Sequence, residues 1–249
     1  LKSLGAELTS IKDASGTEYL WQGNPEFWSG QAPVLFPIVG CLRNGTATIG
    51  DNKTCSFGRH GLARRLEFDL VSSSDTSVTY SLKANDKTKE QYPYDFELQM
   101  TYELTEHGVK VSHTVINHDS VVMPYCVGGH PAFNCPVFEN ESFEDYIVEF
   151  EQPENAACAQ LTEDGLINNA DRVSVLENEA VIPVRHSLFY KDALVFDALK
   201  SRKVALKHKK TGHGILVSFP DFDYLGVWSS ANDGPFVALE PWSGTSTCS

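Results

Sequence analysis

The sequence contains no apolar run approaching the ~20 residues of a membrane-spanning helix, so no membrane partner is expected. It is also short of positive charge. Twenty Lys and Arg stand against 33 Asp and Glu, and the formal net charge is −13. That balance argues against an electrostatic grip on nucleic acid or an anionic bilayer. Metal-type cysteine spacing is missing as well. Cys41, Cys55, Cys126, Cys135, Cys158 and Cys248 form no CxxC pair, and none stands at zinc-finger distance from a histidine. A chain of 249 residues can bury a core without disulfides, so the six read as reduced thiols of a cytoplasmic protein. The opening LKSLGAELTS lacks a secretory pattern. Helical signals are scarce. NPEFWS, residues 24–29, predicts one short helical turn, with Pro25 suited to its first position.

What is present is alternation. In DFELQMTYEL the apolar residues Phe96, Leu98, Met100, Tyr102 and Leu104 recur at period two. This is the pattern of a strand with one buried face. GVKVSHTVIN repeats it, and TEHG between them predicts a hairpin turn. SVTYSLKA, DYIVEFEQ, RKVALKHK, ILVSF, YLGVWSS and FVALEPW read as further strands. Turn residues punctuate the whole chain, with no linker, repeat or low-complexity run. The expected fold is a large all-β antiparallel sandwich, with residues 1–249 as a single domain, monomeric or homodimeric.

Four polar residues sit in unusual company. In GGHPAFNCP, His130 follows two glycines and precedes a proline, which pushes its backbone towards an extended conformation. It reads either as a satisfied structural histidine or as a proton-transfer group. In RHGLAR, His60 is part of a solvated turn or of a pocket. In ALEPW, Glu240 ends an apolar strand and is either an edge carboxylate facing water or a buried base. Asp192 in FYKDALVFDAL marks a strand or loop start, or a ligand contact. Together these are the material of a general acid–base site. His107, His113, His118, His186, His208 and His213 have no such context and read as structural or surface residues.

The combination of LFPIVG, RHGLAR, GGHPAFNCP, KDALVFD and ALEPWSG, in order from Leu4 to Gly244, resembles the aldose 1-epimerases, the galactose mutarotase-like family, and most of all its LacX-type branch. The resemblance implies a large β-sandwich that interconverts the α and β anomers of a free aldose without a cofactor. By motif, His130 corresponds to the general acid and Glu240 to the general base. His60 and Asp192 would hold sugar hydroxyls, and Arg64 would lie at the pocket. Trp242 and Phe133 are candidate stacking faces for a pyranose, with core packing as the plain alternative. Trp28 is a weaker candidate wall. The family often carries an arginine just after FPIVG. Here Cys41 takes that place and Arg43 follows, a candidate substrate contact.

The expected chemistry is ring opening and closure. Glu240 takes the proton of the C1 hydroxyl and His130 gives one to the ring oxygen. The unperturbed values of ~4.3 and ~6.5 leave a window for that arrangement, and a neighbouring carboxylate is expected to raise His130 and widen it. Arg59, Arg64 and Arg43 could instead clamp the phosphate of a hexose 6-phosphate. A non-catalytic carbohydrate-binding sandwich is a rival reading, but it would need neither an acid nor a base. A metallohydrolase built on His60, His130 and a carboxylate is a third, although HExxH is missing.

Overall fold

The computed structural model describes residues 1–50 and 52–249. Its strands run β1 (Val34–Leu35), β2 (Thr46–Ile49), β3 (Lys53–Ser56), β4 (Asp69–Ser73), β5 (Ser77–Lys83), β6 (Phe96–Thr105), β7 (Gly108–Asn117) and β8 (Gly128–Gly129). They continue as β9 (Ala132–Asn134), β10 (Tyr146–Leu161), β11 (Ile167–Pro183), β12 (Leu194–Phe196), β13 (Lys203–His208), β14 (Gly214–Ser218), β15 (Tyr224–Trp228) and β16 (Phe236–Trp242). A short helix, α1 (Asp86–Gln91), lies between β5 and β6.

The strands pair antiparallel. A six-stranded sheet has the order β1-β8-β16-β15-β12, with β9 also on β16. Four-stranded sheets are built from β11-β10-β13-β14 and from β4-β5-β6-β7, and β2–β3 form a ribbon. This is the all-β antiparallel sandwich that the alternation predicted. The expected hairpin is β6–β7, closed by Thr105 and Gly108.

NPEFWS makes the single turn expected of it and goes no further: Phe27 and Trp28 both donate their N–H groups to the Asn24 carbonyl. Two segments differ from the sequence reading. Helix α1 was not foreseen. Its six residues are too few for apolar periodicity, but its start is signalled by a capping box. Asn85 Oδ1 accepts from the Thr88 N–H at 3.1 Å, and Thr88 Oγ1 accepts from the Asn85 N–H at 2.8 Å. The long strand β11 was not foreseen either. Most of its residues are exposed, so no apolar face marks it, and register shifts against β10 break its periodicity.

Side-chain parity in the six-stranded sheet positions the site. Directly paired residues share a face. Val237 and Leu239 of β16, with Phe133, face the main core, which draws residues from Ala6 to Leu239. The other face of β16 carries Phe236, Ala238, Glu240 and Trp242. Phe236 and Ala238 join a small aromatic cluster with Trp21, Trp28 and Trp228. Trp242 joins a second cluster with Leu35, Ile167 and Val195. Glu240 lies between the two.

Candidate active site

Glu240 stands opposite Gly226 of β15. It is buried, with its side chain 1% exposed, so it is not an edge carboxylate turned to water. His130 sits in the gap between β8 and β9, and its N–H donates to the Pro33 carbonyl at 3.1 Å. Its Nε2 comes within 3.2 Å of Glu240 Oε2. The approach lacks hydrogen-bond alignment. Among the described residues, neither His130 Nδ1 nor Glu240 Oε2 has a hydrogen-bond partner. Buried polar atoms left in this way are uncommon and mark candidate reaction sites.

The two glycines before His130 have different reasons. Neither has a positive φ. A Cβ at Gly128 would lie 2.8 Å from both the Pro241 carbonyl oxygen and Trp242 Cδ1. At Gly129 the nearest atom would be Pro131 Cδ at an ordinary 3.6 Å. Only Gly128 is demanded sterically, because β16 crosses close beside it.

His60 comes from the loop after β3 with φ 67°, a region that non-glycine residues rarely occupy. Two bonds to Gly40 hold it there. The His60 N–H donates to the Gly40 carbonyl at 2.7 Å, and the Gly40 N–H donates to His60 Nδ1 at 3.0 Å. With Nδ1 accepting, the neutral ring carries its proton on Nε2. The His60 and His130 rings meet edge-on with centroids 5.6 Å apart. Asp192 is also strained, at φ 106°. Its Oδ1 accepts from the Ala193 N–H at 2.7 Å, and its Oδ2 lies 3.3 Å from Arg59 Nη1. Arg64, in a short turn after His60, donates to the Arg59 carbonyl, while its buried Nε has no partner among the described residues.

These groups line a cavity of about 170 Å³. At ~30 Å³ for each displaced water, it has the scale of a single sugar ring. Glu240, His130, His60, Arg64, Asp192 and Trp242 all reach its wall. Trp28, Arg59 and Trp228 line it too. A wider groove of about 930 Å³ adjoins it, sharing Arg59, Leu161, Asp192 and Trp228. Two predicted contacts lie elsewhere. Phe133 pairs with Val237, so parity turns it into the main core. Arg43 points to the Cys248 carbonyl, and its N–H donates to Thr247 Oγ1; it ties down a late segment of the chain. Trp228 was missed. Its pairing with Ala238 puts it on the Glu240 face, and alternation along YLGVW carried that signal.

Burial dominates the electrostatics. It holds the imidazole of His130 down at about 3, and Arg64 and Arg59 add to the effect. This reverses the expectation that a neighbouring carboxylate raises it. Burial also pushes the Glu240 carboxyl well above its usual range, with the charge of Asp192 adding and Trp242 and Arg59 opposing. Both shifts favour one proton shared by an uncharged pair. His60 is held well below its ordinary value by burial and by its positive neighbours. Among the described residues, no group of three or more His, Cys, Asp and Glu is arranged to hold a metal ion. The six cysteines are free, and among the described residues no helix is long and apolar enough to cross a membrane.

The family model described as Aldose 1-epimerase matches residues 1–249. The chain is similar to the plasmid and chromosomal LacX proteins of Lactococcus lactis subsp. lactis, each 46% identical over 99% of this chain and 84% of theirs. Among solved structures it resembles a galactose mutarotase related enzyme from Lactobacillus acidophilus. That match has a TM-score of 0.92 and 32% identity, over 100% of this chain and 83% of the other. It also resembles a galactose mutarotase-like protein from Lactobacillus casei, with a TM-score of 0.90 and 32% identity over 99% and 84%.

Proposed function

The chain belongs to the aldose 1-epimerase family, and on that premise we propose that it interconverts the α and β anomers of a free aldose in the cytoplasm. The observation that carries this reading is the 3.2 Å approach of His130 Nε2 to Glu240 Oε2 on the wall of a cavity the size of one sugar ring.

A pair that shares one proton can do both halves of the reaction. The shared proton first passes from Glu240 to His130. The carboxylate then takes the proton of the C1 hydroxyl while the imidazolium donates to the ring oxygen, and the C1–O5 bond breaks. Rotation about C1–C2 turns the other face of the aldehyde to the C5 hydroxyl. Closure returns each proton by the reverse path. Only protons move, so the reaction needs no cofactor. Each positioned group contributes ~100- to 10,000-fold, enough for a reaction that water already performs slowly. His60 Nε2–H donates to a sugar hydroxyl, Asp192 and Arg64 hold others, and Trp242 packs on the ring.

A second reading has its own support. Arg59 and Arg64 both line the cavity, which suits the phosphate of a hexose 6-phosphate. Arg59 is already paired with Asp192, and this ranks the phosphorylated sugar second. Optical mutarotation of fresh α-glucose, α-galactose and glucose 6-phosphate tests both readings. Acceleration with a free aldose supports the first; acceleration with the phosphate ester alone replaces it with the second. Sugar binding without acceleration of any substrate leaves a carbohydrate-binding sandwich.

A further inference from the structure

The His130 ring is enclosed by two indoles. Trp28 lies face to face with it, centroids 4.8 Å apart and planes 28° from parallel. Trp228 meets it edge-on at 5.3 Å and 78°. Trp28 is held firmly in turn. Its N–H donates to the Asn24 carbonyl at 2.9 Å, and its carbonyl accepts from Trp21 Nε1 at 2.8 Å. Its ring packs on Trp228 and Phe236, with centroids 5.4 and 5.7 Å away.

Gly30 belongs to the same arrangement. It has no positive φ, so the backbone does not require a glycine. A Cβ there would stand 2.4 Å from Trp28 Cζ2 and 2.8 Å from Cε2. The indole itself demands the small residue.

Proton transfer through His130 creates an imidazolium in a buried place. Glu240 faces it as an acceptor at 3.2 Å. His60 faces it edge-on and is held neutral, while Arg59 and Arg64 oppose a positive charge. Asp192 is engaged with Arg59. Nδ1 has no hydrogen-bond partner among the described residues. Besides Glu240, what meets the charge is the Trp28 face, 4.8 Å away, and an aromatic face attracts a cation within ~6 Å of its centroid.

We propose that Trp28, seated by Gly30, is a positioning residue for His130: its indole face keeps the imidazole aimed at Glu240 and stabilises the imidazolium that forms as the proton moves. The inference rests on the acid–base reading above. It also separates Trp28 from Trp242. One face of Trp28 is taken by His130, and Trp228 and Phe236 crowd the rest, so Trp28 is not a stacking platform for the sugar.

The test compares wild type with Trp28→Leu, Trp28→Phe and Gly30→Ala, each first checked for folding by circular dichroism and thermal melting. Initial rates of mutarotation give kcat and KM. Proton NMR gives the ring-current shift of the His130 ring, assigned through His130→Asn, whether or not a variant is active. The expected result is a kcat lowered about 3- to 30-fold in Trp28→Leu and Gly30→Ala, the size of a desolvated cation–π contact. KM stays within twofold, the His130 ring signals lose their upfield shift, and Trp28→Phe keeps most of the rate. An unchanged kcat with a raised KM overturns the proposal and makes Trp28 a sugar wall. Equal losses in Trp28→Phe and Trp28→Leu overturn it as well. A wild type inert on every aldose and sugar phosphate sinks the acid–base reading and this inference together. An active wild type with unaffected variants sinks the inference alone.

Discussion

The Gly40 N–H donates to Nδ1 of His60 at 3.0 Å, and that bond sets what the second histidine can do. A ring accepting at Nδ1 and held neutral by burial offers a donor at Nε2 and no acid with a titratable role. His60→Asn is therefore expected to weaken sugar binding more than the proton transfer. A neutral hydrogen bond contributes about 0.5–1.5 kcal/mol, so KM should rise about 2- to 12-fold with kcat changed less. Initial-rate kinetics check the split, and a dominant fall in kcat would argue for a chemical role.

Glu240→Gln and His130→Asn remove the two groups to which the proposed mechanism gives the proton exchange. Each is expected to lower kcat about 100- to 10,000-fold. The double variant should be little worse than either single one, because the two act as a unit. Polarimetry on folded variants measures this. Fully additive losses would mean that the groups work separately.

The pH profile follows from burial. The working form of the pair holds one proton. A second proton is resisted until about 3, where His130 titrates, and the first is lost only at the raised value of Glu240. Activity should therefore form a broad plateau, falling at the acid end near 3 and at the alkaline end well above the ordinary carboxyl range. Buffer-corrected mutarotation rates, level across pH 4 to 9 and falling on the acid side only as pH approaches 3, check it. A narrow bell between the unperturbed values of ~4.3 and ~6.5 would show that solvent reaches the pair.

Gly128→Ala would drive a methyl group against the Pro241 carbonyl and Trp242. Overpacking of this kind costs about 1–3 kcal/mol, which lowers Tm by several degrees. Gly129→Ala meets only an ordinary contact and should leave Tm nearly unchanged. Thermal melts of the two variants side by side make the comparison.

His113 supplies an acid-stability test. Its ring sits edge-on to Phe222 at 5.8 Å, and burial lowers its pKa to about 4. The unfolded histidine titrates near ~6.5, so between that value and about 4 the unfolded chain binds the extra proton. Stability should therefore fall as pH drops through this window. His113→Phe should flatten that part of the stability–pH curve, measured by urea unfolding at pH 7 and pH 5. An unchanged slope would place the titration elsewhere.

Much of the architecture was legible because alternation is a local property. The period-two runs of 95–104, 108–117 and 236–242 became strands β6, β7 and β16. Where a segment is solvated on both faces, as in β11, there is no periodic signal to read. A short helix such as α1 announces itself only through its cap. The site was legible in part. Residues pinned by glycine, proline or unusual polarity, namely His60, His130, Asp192 and Glu240, stood out in the chain and line one cavity. Trp228 did not stand out, because an aromatic residue in a strand looks alike whether it fills a core or borders a pocket.

Taken alone, the sequence determined the all-β fold class, the acidic character and the residue types that can exchange a proton, since each depends on composition or on neighbours a few positions apart. Only the tertiary structure decided which face of β16 holds Glu240, that Phe133 turns into the core, and that Arg43 is tied to a late segment of the chain outside the cavity. Pairing across the sheet sets side-chain parity, and that pairing joins segments more than a hundred residues apart. Burial then did what spacing could not. By removing water from His130 and Glu240 together, it moved their proton affinities in opposite directions and left an aromatic face, Trp28, to meet the charge.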